Sequence, residues 1–236
     1  MNILMLIQTG IFGLSGTMGM YVAGAAVTAV LSYLVGSLNF CRFFGKKHEC
    51  KSDLYELNEK AGLSGVAVPL LLDFLCGIVC ATIGLFAMPG SGFACFAALF
   101  CILGHNFPIF HHFKSNGCAG GCAAFVGVML IVDPLMALIS FMLALLLYFV
   151  TRYSTAFVLL FTLVCPLLSE RFPLWVFERG DGSIDFVYSI NFFLSRPFTF
   201  VLMLVVLIFY GNAIGRMVRG KEEKLVFHSK KQKVSK

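Results

Sequence analysis

Residues 104–114, Gly-His-Asn-Phe-Pro-Ile-Phe-His-His-Phe-Lys, hold the chain's densest collection of groups able to do chemistry. His105 can serve as a general base for an acceptor hydroxyl or as a hydrogen-bonding group at a helix end. His111 and His112 suit either the membrane interface or a phosphate. Adjacent residues do not share a helix face, which argues against a metal site there. Lys114 is a phosphate contact or an interfacial anchor. Ser115, Asn116 and Gly117 follow in a small-residue run, and cations beside exposed backbone N–H groups make a cradle for phosphate. Further candidates are scattered along the chain. Ser52 and Asn58 lie in a charged loop, Arg152 and Thr155 flank a short turn, and Asn212 and Arg216 stand near the end of the last apolar run. Asp73 lies inside an apolar run, where a carboxylate needs a partner. Arg216 and Glu222 suit a folded clamp in the tail.

The elements that position these residues must be membrane helices. The chain has 236 residues, 59% hydrophobic and only 13% charged, with a mean hydropathy of +0.89. Soluble domains carry about 25% charge, so a soluble core is excluded and an all-α polytopic membrane protein is expected. Seven transmembrane helices are expected at 19–40, 61–88, 93–103, 119–132, 135–150, 153–168 and 196–214. Gly104 closes the third, Asp133-Pro134 separates the fourth from the fifth, and 169–195 is a mixed loop. Residues 1–18 form an apolar lead without the basic start of a cleaved signal; an extra span there needs a reversal at Ser15-Gly16. Residues 1–225 are expected to form one domain, with 226–236 a basic tail.

Charge sets the orientation. Fifteen of the eighteen Lys and Arg residues fall in the alternate segments 41–61, 104–118, 151–152 and 216–236. The positive-inside rule then places the N-terminus outside and the C-terminus in the cytoplasm. The gathered face suits either a phosphate cradle or an anionic-lipid platform. Most of the nine cysteines lie in apolar runs, without paired spacing, and read as small hydrophobes.

The stretch Gly104–Lys114 resembles the second signature of the bacterial membrane acyl-phosphate:glycerol-3-phosphate acyltransferases, approximately GHxFPxFxxFKGGKGVAT. Tyr33-Leu34-Val35-Gly36-Ser37, Leu70–Gly77, Arg152-Tyr153 and Ile214–Leu225 are similar to that family's further motifs, in order. The resemblance implies a seven-span enzyme of the bacterial plasma membrane with a cytoplasmic site. It implies transfer of an acyl group from acyl-phosphate to glycerol 3-phosphate, giving lysophosphatidic acid, without a cofactor or metal. Ser52, His105, Lys114 and Arg152 would be catalytic. Asn58, Ser115, Asn116, Gly117, Thr155, Asn212 and Arg216 would bind phosphate, and Asp73 and Glu222 would be structural. Membrane lipids and an acyl-phosphate-producing protein are expected partners; nucleic acid is not.

Several motif positions differ. The first phosphate loop, about GSGNxGATN in the family, reads Lys51–Asn58 and contains two carboxylates. Cys76 replaces a motif lysine, and the C-terminal HxxN pair falls on Tyr210 and Ala213, with Asn212 one residue away. These departures leave a second reading: a catalytically degenerate relative that binds lipid phosphate or a partner.

Overall fold

A computed structural model describes residues 18–38, 40, 43–44, 54–87, 91–111, 121–171, 176–178, 184–186 and 192–222. Seven long helices occupy these residues: α1 Met18–Gly36, α2 Leu54–Ala87, α3 Ser91–Asn106, α4 Cys122–Val132, α5 Pro134–Thr151, α6 Ser154–Arg171 and α7 Phe192–Val218. A single 3-10 turn, Ile109–His111, follows α3. Four helices contain apolar stretches long enough to cross a membrane: Gly19–Gly36, Ser64–Ala87, Pro134–Thr151 and Thr199–Val218. The stretches Phe93–Asn106, Cys122–Val132 and Ser154–Leu168 are apolar but shorter.

The helical expectation needs amendment in three places. The mixed loop contains an antiparallel hairpin, β1 Val176–Glu178 paired with β2 Ile184–Phe186. The charged loop ends earlier than expected, because α2 already begins at Leu54 and bends at Gly62, where φ is 70° and ψ −166°. Gly104 does not close α3, which runs on to Asn106. Instead, Gly104 lies against the Tyr33 carbonyl, while Gly36 lies against the backbone of Cys101. The two glycines let α1 and α3 approach backbone to backbone, where a larger residue would hold the helices apart. The proposed alternative span within residues 1–17 lies outside the described residues.

Asp133 and Pro134 separate α4 from α5 through two local bonds. The Asp133 N–H donates to the Met129 carbonyl at 2.8 Å, and its carboxylate accepts from the Met136 N–H at 3.3 Å. Pro134, at the first turn of α5, gives up no hydrogen bond there. The next turn closes at Arg152, the sole non-glycine with positive φ (63°) among the described residues. Its N–H donates to the Tyr148 carbonyl at 2.7 Å. The central core gathers Ile102 of α3, Phe125 and Met129 of α4, Phe161 of α6, and Leu202 and Val206 of α7, all fully buried.

Candidate active site

The side chains at one end of the bundle form two polar groups. The first joins α1, α2 and α3. His105, in the last turn of α3, is 5% exposed, and Asp73 in α2 is 2% exposed. His105 Nε2 lies 3.2 Å from Asp73 Oδ1, and Nδ1 lies 3.1 Å from the Cys101 carbonyl. The ring thus sits between a carboxylate and a carbonyl, both acceptors. Asp73 Oδ1 also accepts from the Phe40 N–H, beyond α1, at 3.4 Å.

Neighbouring bonds fix the same corner. Asn106 Nδ2 donates to the Ile102 carbonyl at 2.9 Å. The Tyr33 hydroxyl donates to the Phe107 carbonyl at 2.6 Å, across 74 residues of chain. Thus the carbonyl left free as α3 ends is satisfied by a side chain of α1.

The second group joins α6 and α7. At the end of α7, the Gly220 N–H donates to the Met217 carbonyl, and the Lys221 N–H to the Arg216 carbonyl, both at 2.9 Å. Gly220 has φ 65°. This paired pattern around a left-handed residue is a Schellman cap. It turns the chain so that Glu222, 8% exposed, reaches the start of α6. There Glu222 Oε1 accepts from the Thr155 N–H at 3.0 Å and from the Ser154 hydroxyl at 3.3 Å. A carboxylate at a helix N-terminus satisfies open N–H groups and favours the positive end of the helix dipole.

A sequence model of the family described as glycerol-3-phosphate acyltransferase matches residues 26–220. The chain belongs to this family. A glycerol-3-phosphate acyltransferase of Mycoplasmopsis pulmonis is 28% identical over 208 residues, covering 81% of this chain and 89% of its own. One from Thermoanaerobacter sp. is 27% identical over 211 residues, covering 85% and 96%. Among solved structures, the fold is similar to that of PlsY (YgiH), an integral membrane glycerol 3-phosphate acyltransferase, in its glycerol 3-phosphate form. That match has a TM-score of 0.70 at 22% identity, covering 86% of this chain and 96% of the other. The lysophosphatidic acid form of PlsY matches with a TM-score of 0.69.

Within this acyltransferase frame, the structure brings Thr155, Ser154 and Glu222 together, with Arg152 two residues before α6 and Arg216 in the last turn of α7. Arg152, Asn212 and Arg216 are exposed; Thr155 is buried. Asn58 is buried in the first part of α2 rather than placed in a solvated loop. Ser52, Lys114, Ser115, Asn116 and Gly117 lie outside the described residues, as does His112. His105 lies at the end of α3 and is paired with Asp73, a geometry open to both of its expected roles, because a carboxylate partner can fix a helix end or orient a general base. Tyr33 escaped the sequence reading as a site-forming residue. Its motif, Tyr-Leu-Val-Gly-Ser, was the available signal, but a tyrosine in an apolar run reads first as packing.

Proposed function

We propose that this chain is a multi-pass membrane acyltransferase that transfers an acyl group to glycerol 3-phosphate and forms lysophosphatidic acid in phospholipid synthesis. The family match across residues 26–220 carries this reading. The Gly104–Lys114 signature supports it, because its described part lies at the polar end of α3.

The donor is an acyl-phosphate, supplied by a separate acyl-phosphate-producing protein. The 1-hydroxyl oxygen of glycerol 3-phosphate attacks the acyl carbonyl carbon, and the bond from that carbon to the phosphate oxygen breaks. The hydroxyl proton leaves with the departing phosphate, directly or by way of His105. The mixed anhydride is already activated; the protein's part is to hold two phosphorylated reactants in line and to balance charge. Lys114, Arg152 and Arg216 supply cations. Ser52, Asn58, Ser115, Asn116, Gly117, Thr155 and Asn212 supply hydrogen-bonding groups around the phosphates. Asp73 and Glu222 hold the helix ends.

Seven spans place the N-terminus outside and the C-terminus, with the site, in the cytoplasm of a bacterial plasma membrane. Seven helices among the described residues and the one-sided Lys and Arg distribution support that topology. The test is lysophosphatidic acid formation by the purified, lipid-reconstituted protein supplied with acyl-phosphate and glycerol 3-phosphate. Turnover is expected, with loss in the Lys114→Ala and Ser52→Ala variants. Wild-type turnover no higher than that of those variants overturns the reading.

A further inference from the structure

Three measures of depth agree at the polar end of the bundle. The first is helix length. α3 has 16 residues and α4 has 11, about 24 Å and 16 Å at ~1.5 Å per residue. A bilayer's hydrocarbon core is ~30 Å thick, so both helices are shorter than the core. α7, with 27 residues, extends about 40 Å.

The second is the level at which the short helices stop. Just past α3, the Phe107 ring meets the Phe209 ring of α7 edge to face, with centroids 5.5 Å apart. At the start of α4, Cys122 is buried with Tyr210 of α7 and Val158 of α6. Both ends therefore lie beside positions 209–210. α7 continues from there to Arg216, about 10 Å farther along its axis. Arg216, Arg219 and Lys221 are exposed and mark the water side, because charged heads seek the headgroup region.

The third is Asp73. It stands nine residues inside the apolar stretch Ser64–Ala87, about 13 Å along α2, and it pairs with His105 at the end of α3. These contacts place the first residues after α3 below the level of the charged groups that end α7.

On the described part of the turn after α3, the exposed side chains are apolar. Phe107 is 44% exposed, Ile109 45% and Phe110 58%. They follow α3 directly, beside the buried Asn106 and Pro108. Water at that level would favour polar groups on the turn, whereas hydrocarbon favours these.

We propose that Phe107, Ile109 and Phe110 form a lipid-immersed edge about 10 Å below the level of Arg216, at the polar end of α3. The occupant of this surface is bilayer hydrocarbon. The immersion of the edge rests on the membrane placement alone, and its test needs no turnover.

The chain has one tryptophan, Trp175, so a single fluorescent probe can be moved. Phe110→Trp and, separately, Ile109→Trp are made in a Trp175→Phe background and reconstituted in vesicles. Quenching is measured with lipids brominated at defined acyl positions and with aqueous iodide. Both probes are expected to be quenched by acyl bromines near the headgroup half of the chain, and to be shielded from iodide at least fivefold relative to free tryptophan. Iodide quenching close to that of free tryptophan means an aqueous or partner-binding turn and overturns the proposal. Quenching by neither agent means burial in protein and overturns it equally. Concordance of the two probes guards against distortion by either substitution. Lysophosphatidic acid formation, measured on the same vesicles, reports separately on the functional reading.

Discussion

Asp73 and His105 form a buried pair across α2 and α3, with His105 Nε2 3.2 Å from Asp73 Oδ1, and the other imidazole nitrogen is held by the Cys101 carbonyl. The pair ties the end of α3 to the middle of α2. Through the Phe40 N–H it also ties in the segment beyond α1. Removing one member of such a pair strands the other in a low-dielectric site. Asp73→Ala is therefore expected to cost about 3–5 kcal/mol, read as loss of thermal stability in detergent. The double variant Asp73→Asn, His105→Gln is expected to lose less than the sum of its singles, as a double-mutant cycle would show.

The Asp73–His105 pair also bears on how His105 variants behave in catalysis. If His105 holds a helix end, His105→Gln retains more activity than His105→Ala and keeps the wild-type shape of the pH–rate profile. Loss of the profile's basic-form requirement in both variants would identify His105 as the base instead.

The α1–α3 crossing predicts a steric effect. Gly104 lies against the Tyr33 carbonyl, backbone atoms that cannot swing aside. Gly104→Val is expected to destabilise the protein by about 1–3 kcal/mol through overpacking. It should also weaken the bond from the Tyr33 hydroxyl to the Phe107 carbonyl. Tyr33→Phe removes only that bond and should cost about 1 kcal/mol. Thermal unfolding of the two variants ranks the effects.

Glu222 acts as a cap supplied from elsewhere in the chain. Glu222→Ala leaves the Thr155 N–H open and should cost about 0.5–2 kcal/mol, the usual range for loss of a helix N-cap. Glu222→Gln keeps an accepting oxygen and should recover most of that stability. Because Arg216 and Arg152 flank the clamp, Glu222→Ala is also expected to raise the KM for glycerol 3-phosphate more than it lowers kcat. An unchanged KM would make the clamp structural only.

Arg152 is exposed next to the start of α6, with its backbone in a left-handed conformation. If its guanidinium grips phosphate, Arg152→Ala raises the KM for glycerol 3-phosphate roughly tenfold, the scale of one charge-assisted hydrogen bond. Arg152→Gly relieves the backbone conformation but removes the same cation, so it should match Ala in KM while differing in stability.

The sequence by itself determined the solvent and the plan. An apolar chain with few charges must fold as helices in a bilayer, because only hydrogen-bonded helices or closed barrels satisfy the backbone there. Asp133-Pro134 carried a readable helix boundary because capping is local. The ordered motifs, from Tyr33-Leu34-Val35-Gly36-Ser37 to Gly220-Lys221-Glu222, carried the family. Tertiary structure decided what those residues touch. Gly104 looked like a helix stop because glycine weakens helices, yet its missing side chain serves a neighbouring helix. Asp73 announced the need for a partner but could not name it, since His105 is 32 residues away. The reach of Tyr33 to Phe107 and of Glu222 to Thr155 depends on how helices distant in sequence pack. Neighbours were likewise hidden: hydropathy marks which segments are apolar, but not that Phe107 meets Phe209 or that Cys122 is buried with Tyr210.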